Sequence, residues 1–238
     1  MEEKRLRELA LRAAHACAPT YTRFLEPPME IACRAAANFA GCEVAFDGGY
    51  EGAERRVAGF YAGAAEALSF PIRRLRVDWN ARYGSIGHRD ILGALMGLGI
   101  ERETLGDIAM LKEGALLFVH EDMADYVAAN LESCGRAKVR ISPCGEEVAP
   151  PEPEGTLLYR TVPSQRLDAV LAAACDLSRQ KAQEMIRAEL VKVDHAVETR
   201  ADARLEAGSL VSARGLGRFC LREVTGLTRK GRVGLRLF

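Results

Sequence analysis

Apolar residues recur at helical spacing from the start of the chain. Leu6, Leu9, Ala10 and Ala13 share one face of residues 3–18, and charged residues fill the opposite face. The spacing predicts an amphipathic helix, interrupted by Pro19 and the Pro27-Pro28 pair, then a second helix over 28–39 with Gly41 just past its end. Phe46-Asp47-Gly48-Gly49-Tyr50 has the composition of a turn, and residues 53–61 lead into an extended stretch. Arg55 and Arg56 stand close in sequence to Tyr50, Phe60 and Tyr61, which suits either RNA contact or a solvated strand edge.

From residue 71 the pattern switches between the strand and helix periods. Ile72, Leu75, Val77 and Trp79 predict a strand, and 89–98 a helix. Residues 108–111 and 115–120 predict two strands joined at Glu113-Gly114. A second helix is predicted over 123–134, with Val127 and Leu131 inward and Gly135 as its stop, followed by a strand over 138–142. The order is βαββαβ, the ferredoxin-like arrangement. Gly93, Ala94 and Gly97 would let the first of these helices lie close to the sheet. Residues 144–155 hold Glu146-Glu147 and Pro150-Pro151-Glu152-Pro153, and read as an acidic linker or crossing segment.

The last third is a small basic module. Leu167, Val170, Leu171 and Ala174 predict one helix. Ser178 predicts the N-cap of another, with Ala182, Met185 and Ile186 inward and Arg179, Lys181 and Arg187 on its other faces. Short strands follow over 191–193 and 196–198, around Asp194-His195. A third, over 209–213, ends at a loop whose Gly215 and Gly217 lie between Arg214 and Arg218. Guanidinium forks match phosphate oxygens, and a helix start adds backbone donors. The candidate RNA contacts are therefore Arg166, Ser178, Arg179, Lys181, Arg187, Lys192, Arg214, Arg218, Arg229 and Lys230. A candidate second site consists of His88 and Arg89 at a predicted helix start, with Arg102 beyond its end; an Arg89–Asp107 ion pair is the competing reading.

Charge sharpens this picture. Lys plus Arg and Asp plus Glu each number 33, so the whole chain is neutral. Residues 164–238 hold 14 Lys/Arg against 9 Asp/Glu, or +5, which leaves 19 against 24, or −5, for 1–163. A basic tail on an acidic body is the footprint of a nucleic-acid binder.

Several classes lack their signatures. There is no Walker loop and no His-Glu-x-x-His, and Gly93, Gly97 and Gly99 fall in a helical pattern rather than a cofactor-binding turn. The four His, His120 among them, and the seven Cys form no metal-ligand or nucleophile pattern, so neither a cofactor nor a metal is expected. Leu116-Leu117-Phe118-Val119-His120 does not match the aromatic octapeptide of an RRM. No apolar run is long enough for a membrane, and Met1-Glu2-Glu3-Lys4-Arg5 is not followed by the apolar stretch of a secretory signal. A reducing cytoplasm is the expected compartment.

The order of Arg166-Leu167-Asp168, Leu177-Ser178-Arg179-Gln180-Lys181-Ala182, Leu190-Val191-Lys192-Val193-Asp194 and Arg214-Gly215-Leu216-Gly217-Arg218-Phe219 resembles the S4 RNA-binding domain, or alpha-L motif. That family usually has Gly where Glu189 stands and Asn-Gly where Asp194-His195 stands. Upstream lie Gly48-Gly49-Tyr50, Ala53-Glu54-Arg55, Tyr83, His88-Arg89-Asp90-Ile91-Leu92-Gly93, Arg102 and Leu105-Gly106-Asp107-Ile108. With these, nearly the whole chain resembles the YlmH family of bacterial S4-domain proteins.

The resemblance implies an α+β chain in three parts: an N-terminal helical lead-in with a strand-like segment over 1–70, a ferredoxin-like middle domain over 71–155, and an S4 domain over 164–238. It further implies ribosome association and points towards ribosome-associated quality control; with the catalytic signatures missing, the expected protein is a non-enzymatic monomer that binds ribosomal RNA and tRNA on the large ribosomal subunit. Two alternatives stay open. One is a protein-interaction factor tied to cell division with secondary RNA affinity. The other is an RNA-modifying enzyme with an unrecognised site.

Overall fold

A computed structural model describes residues 2–16, 18–63, 68–80, 86–145, 149–151, 155–229 and 231–238. The fold is α+β, and it divides into two units, Met1–Glu152 and Pro153–Phe238. Among the described residues no helix is long and apolar enough to cross a membrane.

The first unit begins with α1 (Glu2–His15), β1 (Thr20–Leu25), α2 (Met29–Ala40), β2 (Glu43–Asp47) and β3 (Arg56–Tyr61). The strands form an antiparallel sheet in the order β1-β3-β2. Leu6, Ala10 and Ala13 of α1 and Cys33, Ala36 and Ala37 of α2 pack with Ala58 and Phe60. Small residues on both helices let them close over the sheet, and their spacing made both helices legible. β1 is unannounced: Pro19 and Pro27 read as interruptions but bracket a strand whose Thr22 and Phe24 point inward. β2 takes up Phe46 and Asp47, the first half of the predicted turn.

The same unit continues with β4 (Ile72–Trp79), α3 (His88–Gly97), β5 (Leu105–Met110), β6 (Ala115–His120), α4 (Glu121–Asn130), β7 (Ser133–Cys134) and β8 (Ala137–Pro143). The order β5-β6-β4-β8-β7, with every pair antiparallel, is the βαββαβ arrangement with one added edge strand. β6 is apolar along its length because both of its faces are covered. Leu117 and Val119 pack with Ile91 and Leu95 of α3 and Val127 of α4. Leu116 and Phe118 pack with Phe24 and Val57 of the first sheet.

Two expectations are corrected here. The helix predicted over 123–134 ends at Asn130, because Ser133 and Cys134 pair with Lys138 and Ala137, so Gly135 (φ 61°) turns a hairpin instead of stopping a helix. A Cβ built on Gly93 or Gly97 would meet nothing within 4 Å, so these glycines face open space and α3 packs through Ile91 and Leu95.

The second unit comprises β9 (Leu158–Val162), α5 (Leu167–Ala174), α6 (Arg179–Arg187), β10 (Val191–Val193), β11 (Ala196–Val197), β12 (Leu210–Ala213), β13 (Gly217–Leu227) and β14 (Val233–Leu237). Its sheet runs β11-β10-β12-β13-β14-β9. Leu167, Val170 and Leu171 of α5 and Ala182 and Ile186 of α6 share a core with Val191, Val211, Leu221 and Leu235. β12 and β13 are joined through the glycine-bearing loop at Gly215, whereas β9 has no local signal and is set by its pairing with β14, 71 or more residues away along the chain.

Three non-glycine residues stand at the positions where the S4 family usually differs. α6 ends in a Schellman-type closure, with Leu190 N–H donating to the Met185 carbonyl and Glu189 N–H to that of Ile186 (3.1 Å each). The closure needs a left-handed residue, and Glu189 supplies it at φ 58°. Asp194 and His195 form the two-residue β10–β11 turn with φ of 48° and 70°. Asp194 contributes beyond the turn, since its Oδ1 accepts from Leu210 N–H at 2.8 Å. Glu189→Gly should therefore stabilise the protein by about 0.5–1 kcal/mol. A urea-denaturation midpoint at or below the parent value would contradict that assignment.

Candidate nucleic-acid interface

The centre of the basic module is an acid. Asp168, in the first turn of α5, is wholly buried. Arg166 donates to it through Nε and Nη2 at 3.2 and 3.3 Å. Arg179 does the same from the first turn of α6, at 3.1 and 3.2 Å. Gln183 adds a donor at 2.7 Å. Burial would raise the Asp168 carboxyl, but the hydrogen bonds from Arg166, Gln183 and Arg179 outweigh it and hold the group well below the usual carboxylate range. The two arginine side chains are 41% and 49% exposed. One buried carboxylate thus fixes two guanidinium groups at the surface and leaves the cluster with one net positive charge.

From Arg179 a ridge runs along α6. Positions 179, 183 and 187 lie four apart, on the flank next to the buried face made by Ala182, Met185 and Ile186. Arg187, at the end of the ridge, is exposed. Three residues on, the carbonyl of Leu190 accepts from the backbone N–H of Arg214 at 2.9 Å. Arg187, Lys192 and Arg214 therefore come from three elements that meet at Leu190. All three are exposed and make no ion pair among the described residues. Lys192 pairs with Ser212, and Ser212 with Arg218, so these residues form one row across β10, β12 and β13. The flanking register pairs, Val191 with Ala213 and Val193 with Val211, point to the core, which puts Lys192 and Arg218 on the outer face.

Other expected contacts lie elsewhere. Ser178 caps α6, its Oγ accepting from Lys181 N–H at 3.1 Å. Lys181 lies on the opposite flank of α6 from the Arg179–Arg187 ridge and pairs with Glu184 at 3.3 Å. Arg229 follows the far end of β13, an 11-residue strand whose ends are roughly 30 Å apart, and so stands away from Arg218. Lys230 lies outside the described residues. Gln183 was missed in the sequence, because its polar side chain gives no sign of a partner 15 residues away.

Comparisons with known proteins fit this geometry. The family model described as "Putative RNA-binding domain in YlmH" matches residues 66–147, and the S4 domain model matches residues 165–211. Ribosome-associated protein quality control protein P2 of Bacillus subtilis (strain 168) is 35% identical over 212 residues, which span 88% of this chain and 82% of that protein. The chain belongs to the YlmH family. A solved structure, cell division protein ylmH from Streptococcus pneumoniae, covers 63% of this chain and 96% of its own, with a TM-score of 0.50 at 22% identity, a likeness of fold alone.

Of the stretches through which the sequence resembles other YlmH proteins, Gly49-Tyr50, Glu54-Arg55 and Leu105-Gly106-Asp107 form a joint between the two sheets of the first unit, and Tyr83 lies outside the described residues. Asp107 accepts from Tyr50 Oη (2.8 Å), Glu54 N–H (2.7 Å) and Arg55 N–H (3.2 Å). Asp107 is thereby committed to the joint, and not to the ion pair with Arg89 that was the competing reading of the second site. A Cβ on Gly49 would come within 2.6 Å of the Phe118 ring, and one on Gly106 within 2.6 Å of Phe24, so both positions require glycine for close approach. Arg55 is buried rather than at a solvated edge, donating to the carbonyls of Leu105 (2.9 Å), Phe24 (3.2 Å) and Arg102 (3.2 Å). Arg56 pairs with Glu30.

The candidate second site is not assembled as the sequence suggested. Arg102 turns inward and donates to the carbonyls of Leu105 and Gly106 at 3.1 and 3.3 Å. His88 and Arg89 are exposed at the other end of α3, roughly 15 Å away along the 10-residue helix. There Asp90 already accepts from the Gly87 N–H at 2.8 Å, which places a carboxylate where an anion would bind.

Proposed function

We propose that this YlmH-family protein binds RNA through the face that joins Arg166, Arg179, Arg187, Lys192, Arg214 and Arg218. Its ligands in this reading are ribosomal RNA and tRNA on the large ribosomal subunit, and it acts as a cytoplasmic monomer without catalysing a reaction. The observation that carries the reading is the Asp168 cluster. Holding two arginine forks at the surface with a buried carboxylate organises them for phosphate before the ligand arrives, which reduces the ordering cost of binding. The family models, and the name of the Bacillus subtilis relative, support RNA and the ribosome as the setting. Ribosome-associated quality control is the process proposed. The S4 module over 164–238 makes the main contact, and the middle module over 71–155 a second one.

Ultraviolet crosslinking of the protein in cells, followed by sequencing of the attached RNA, tests this. Enrichment of large-subunit ribosomal RNA and tRNA is the expected result, with crosslinked peptides from α6 and the β12–β13 loop. Recovery of protein partners with no RNA enriched over background would overturn it in favour of an interaction factor.

A further inference from the structure

The outer face of the second unit's sheet continues past Lys192 and Arg218. Arg218 and Cys220 lie two apart on β13 and share a face, and Cys220 exchanges backbone hydrogen bonds with Phe238 at 2.7 and 3.0 Å. Beyond a bulge in β13, Glu223 stands opposite Arg236, and Arg236 opposite Tyr159 of β9. The intervening Leu221, Leu235 and Leu237 lie in the core, and Arg160 turns in to the carbonyl of Ala173 on α5 at 2.8 Å. Alternation along the strands therefore puts Tyr159, Arg236 and Phe238 on the same outer face as Arg218. β9, β13 and β14 lie outside residues 165–211, the stretch that matches the S4 model. These added strands carry rings as well as cations. Tyr159 takes no part in the core and is 63% exposed, with the Arg236 guanidinium 5.6 Å from its ring centroid. Arg222, the extra residue at the bulge, holds its guanidinium 4.9 Å from the centroid of Phe238. Gly155 lets the chain close against that ring, since a Cβ there would come within 3.0 Å of it. Tyr159 and Phe238 are diagonal neighbours across β9 and β14, about 7–8 Å apart. Glu223 offsets Arg236 at 2.9 Å, which leaves this part of the face positive through Arg222.

We infer that this face of β9, β13 and β14 is a stacking platform for unpaired RNA nucleotides, with one base on Tyr159 and its neighbour on the Arg222–Phe238 pair. Aromatic rings and guanidinium planes displayed on a sheet are the means by which splayed bases are held. The inference rests on the RNA-binding reading above and deepens it. Lys192 and Arg218 hold phosphates, and the unpaired continuation of the same RNA lays its bases on the added strands. Continuity with those cations on one face favours RNA over a protein partner. A duplex keeps its bases stacked inside the helix and offers none to Tyr159, which favours a single strand.

Oligouridylate and an abasic ribose-phosphate chain of equal length carry the same phosphates and differ only in their bases. The parent protein should bind oligouridylate at least about tenfold more tightly than the abasic chain. Tyr159→Ala should weaken oligouridylate binding by about 5- to 100-fold and leave affinity for the abasic chain unchanged. It should also leave the slope of log affinity on log salt unchanged, because stacking on a neutral ring releases no counterions. Tyr159→Phe keeps the ring and should bind as the parent does. Equal binding of the two oligomers by the parent, or a Tyr159→Ala variant that binds oligouridylate as the parent does, would overturn the inference and leave the phosphate-binding face standing. So would a Tyr159→Phe variant as weak as Tyr159→Ala, which would make the hydroxyl the contact, or a reduced salt slope in Tyr159→Ala, which would make the lost contact a phosphate. Binding of ribosomal RNA without binding of oligouridylate would likewise overturn the platform alone. If the parent binds neither oligomer nor ribosomal RNA, the proposed function falls with it.

Discussion

Asp168→Ala should destabilise the C-terminal unit by about 2–4 kcal/mol, the scale for breaking a buried charge cluster by removing one partner. For a domain of this size that is a fall in thermal midpoint on the order of 10–20 °C, accompanied by lost amide protection in α5 and α6. Asp168→Asn separates charge from shape. Because the native carboxyl is held below its ordinary range, its contribution is fully present above the unfolded-state value near pH 4, and is lost as the pH falls through the depressed native value. The gap in stability between parent and Asp168→Asn should accordingly stay level from about pH 5 to 8 and close only in acid. RNA affinity gives a second and opposite-signed test. Removing an acid from a basic face should strengthen RNA binding if charge alone matters. Loss of the clamp on Arg166 and Arg179 should weaken it instead. Tighter binding by Asp168→Asn would show that the carboxylate is not a positioning group.

The largest expected effect on RNA binding comes from Arg187→Glu with Lys192→Glu and Arg214→Glu. The three side chains are exposed and gather around Leu190, so their reversal should leave stability within about 0.5 kcal/mol each. Loss of three phosphate contacts should lower affinity on the order of a hundredfold at about 0.1 M salt, and alike for all RNA sequences, because phosphate contacts carry no base information. Reversal of Lys181, which lies on the other flank of α6 and is already paired with Glu184, should have a much smaller effect. Equal losses from the two variants would mean that the whole helix, rather than one ridge, faces the ligand.

What the sequence disclosed depended on how far each interaction reaches along the chain. Helices α1, α2, α5 and α6 were legible because Leu6, Ala10, Ala36, Leu171 and Ile186 repeat within a turn or two. The βαββαβ order was legible for the same reason. β1 was hidden because its partner lies in β3, more than 30 residues away, and the bracketing prolines looked like breaks. Within the candidate interface, residue types and the Ser178 cap were readable locally, whereas their grouping was not. Nothing near Asp168 announces that Arg179 and Gln183 converge on it, and nothing near Arg214 announces Leu190. The inward turn of Arg55 and Arg102 was equally concealed. A buried arginine that donates to backbone carbonyls has the same local sequence signature as one reaching for phosphate.

The salt dependence of RNA affinity tests the central claim most directly. For the parent chain, log affinity should fall linearly with log salt at a slope of about −3 to −5, as expected when roughly 4–6 phosphates are neutralised. The slope should shrink by about 2–3 in Arg187→Glu with Lys192→Glu and Arg214→Glu, with the unfolding midpoint held. A slope near zero in the parent, or the same slope in parent and variant, would contradict a phosphate-binding S4 face built around Asp168 and Leu190.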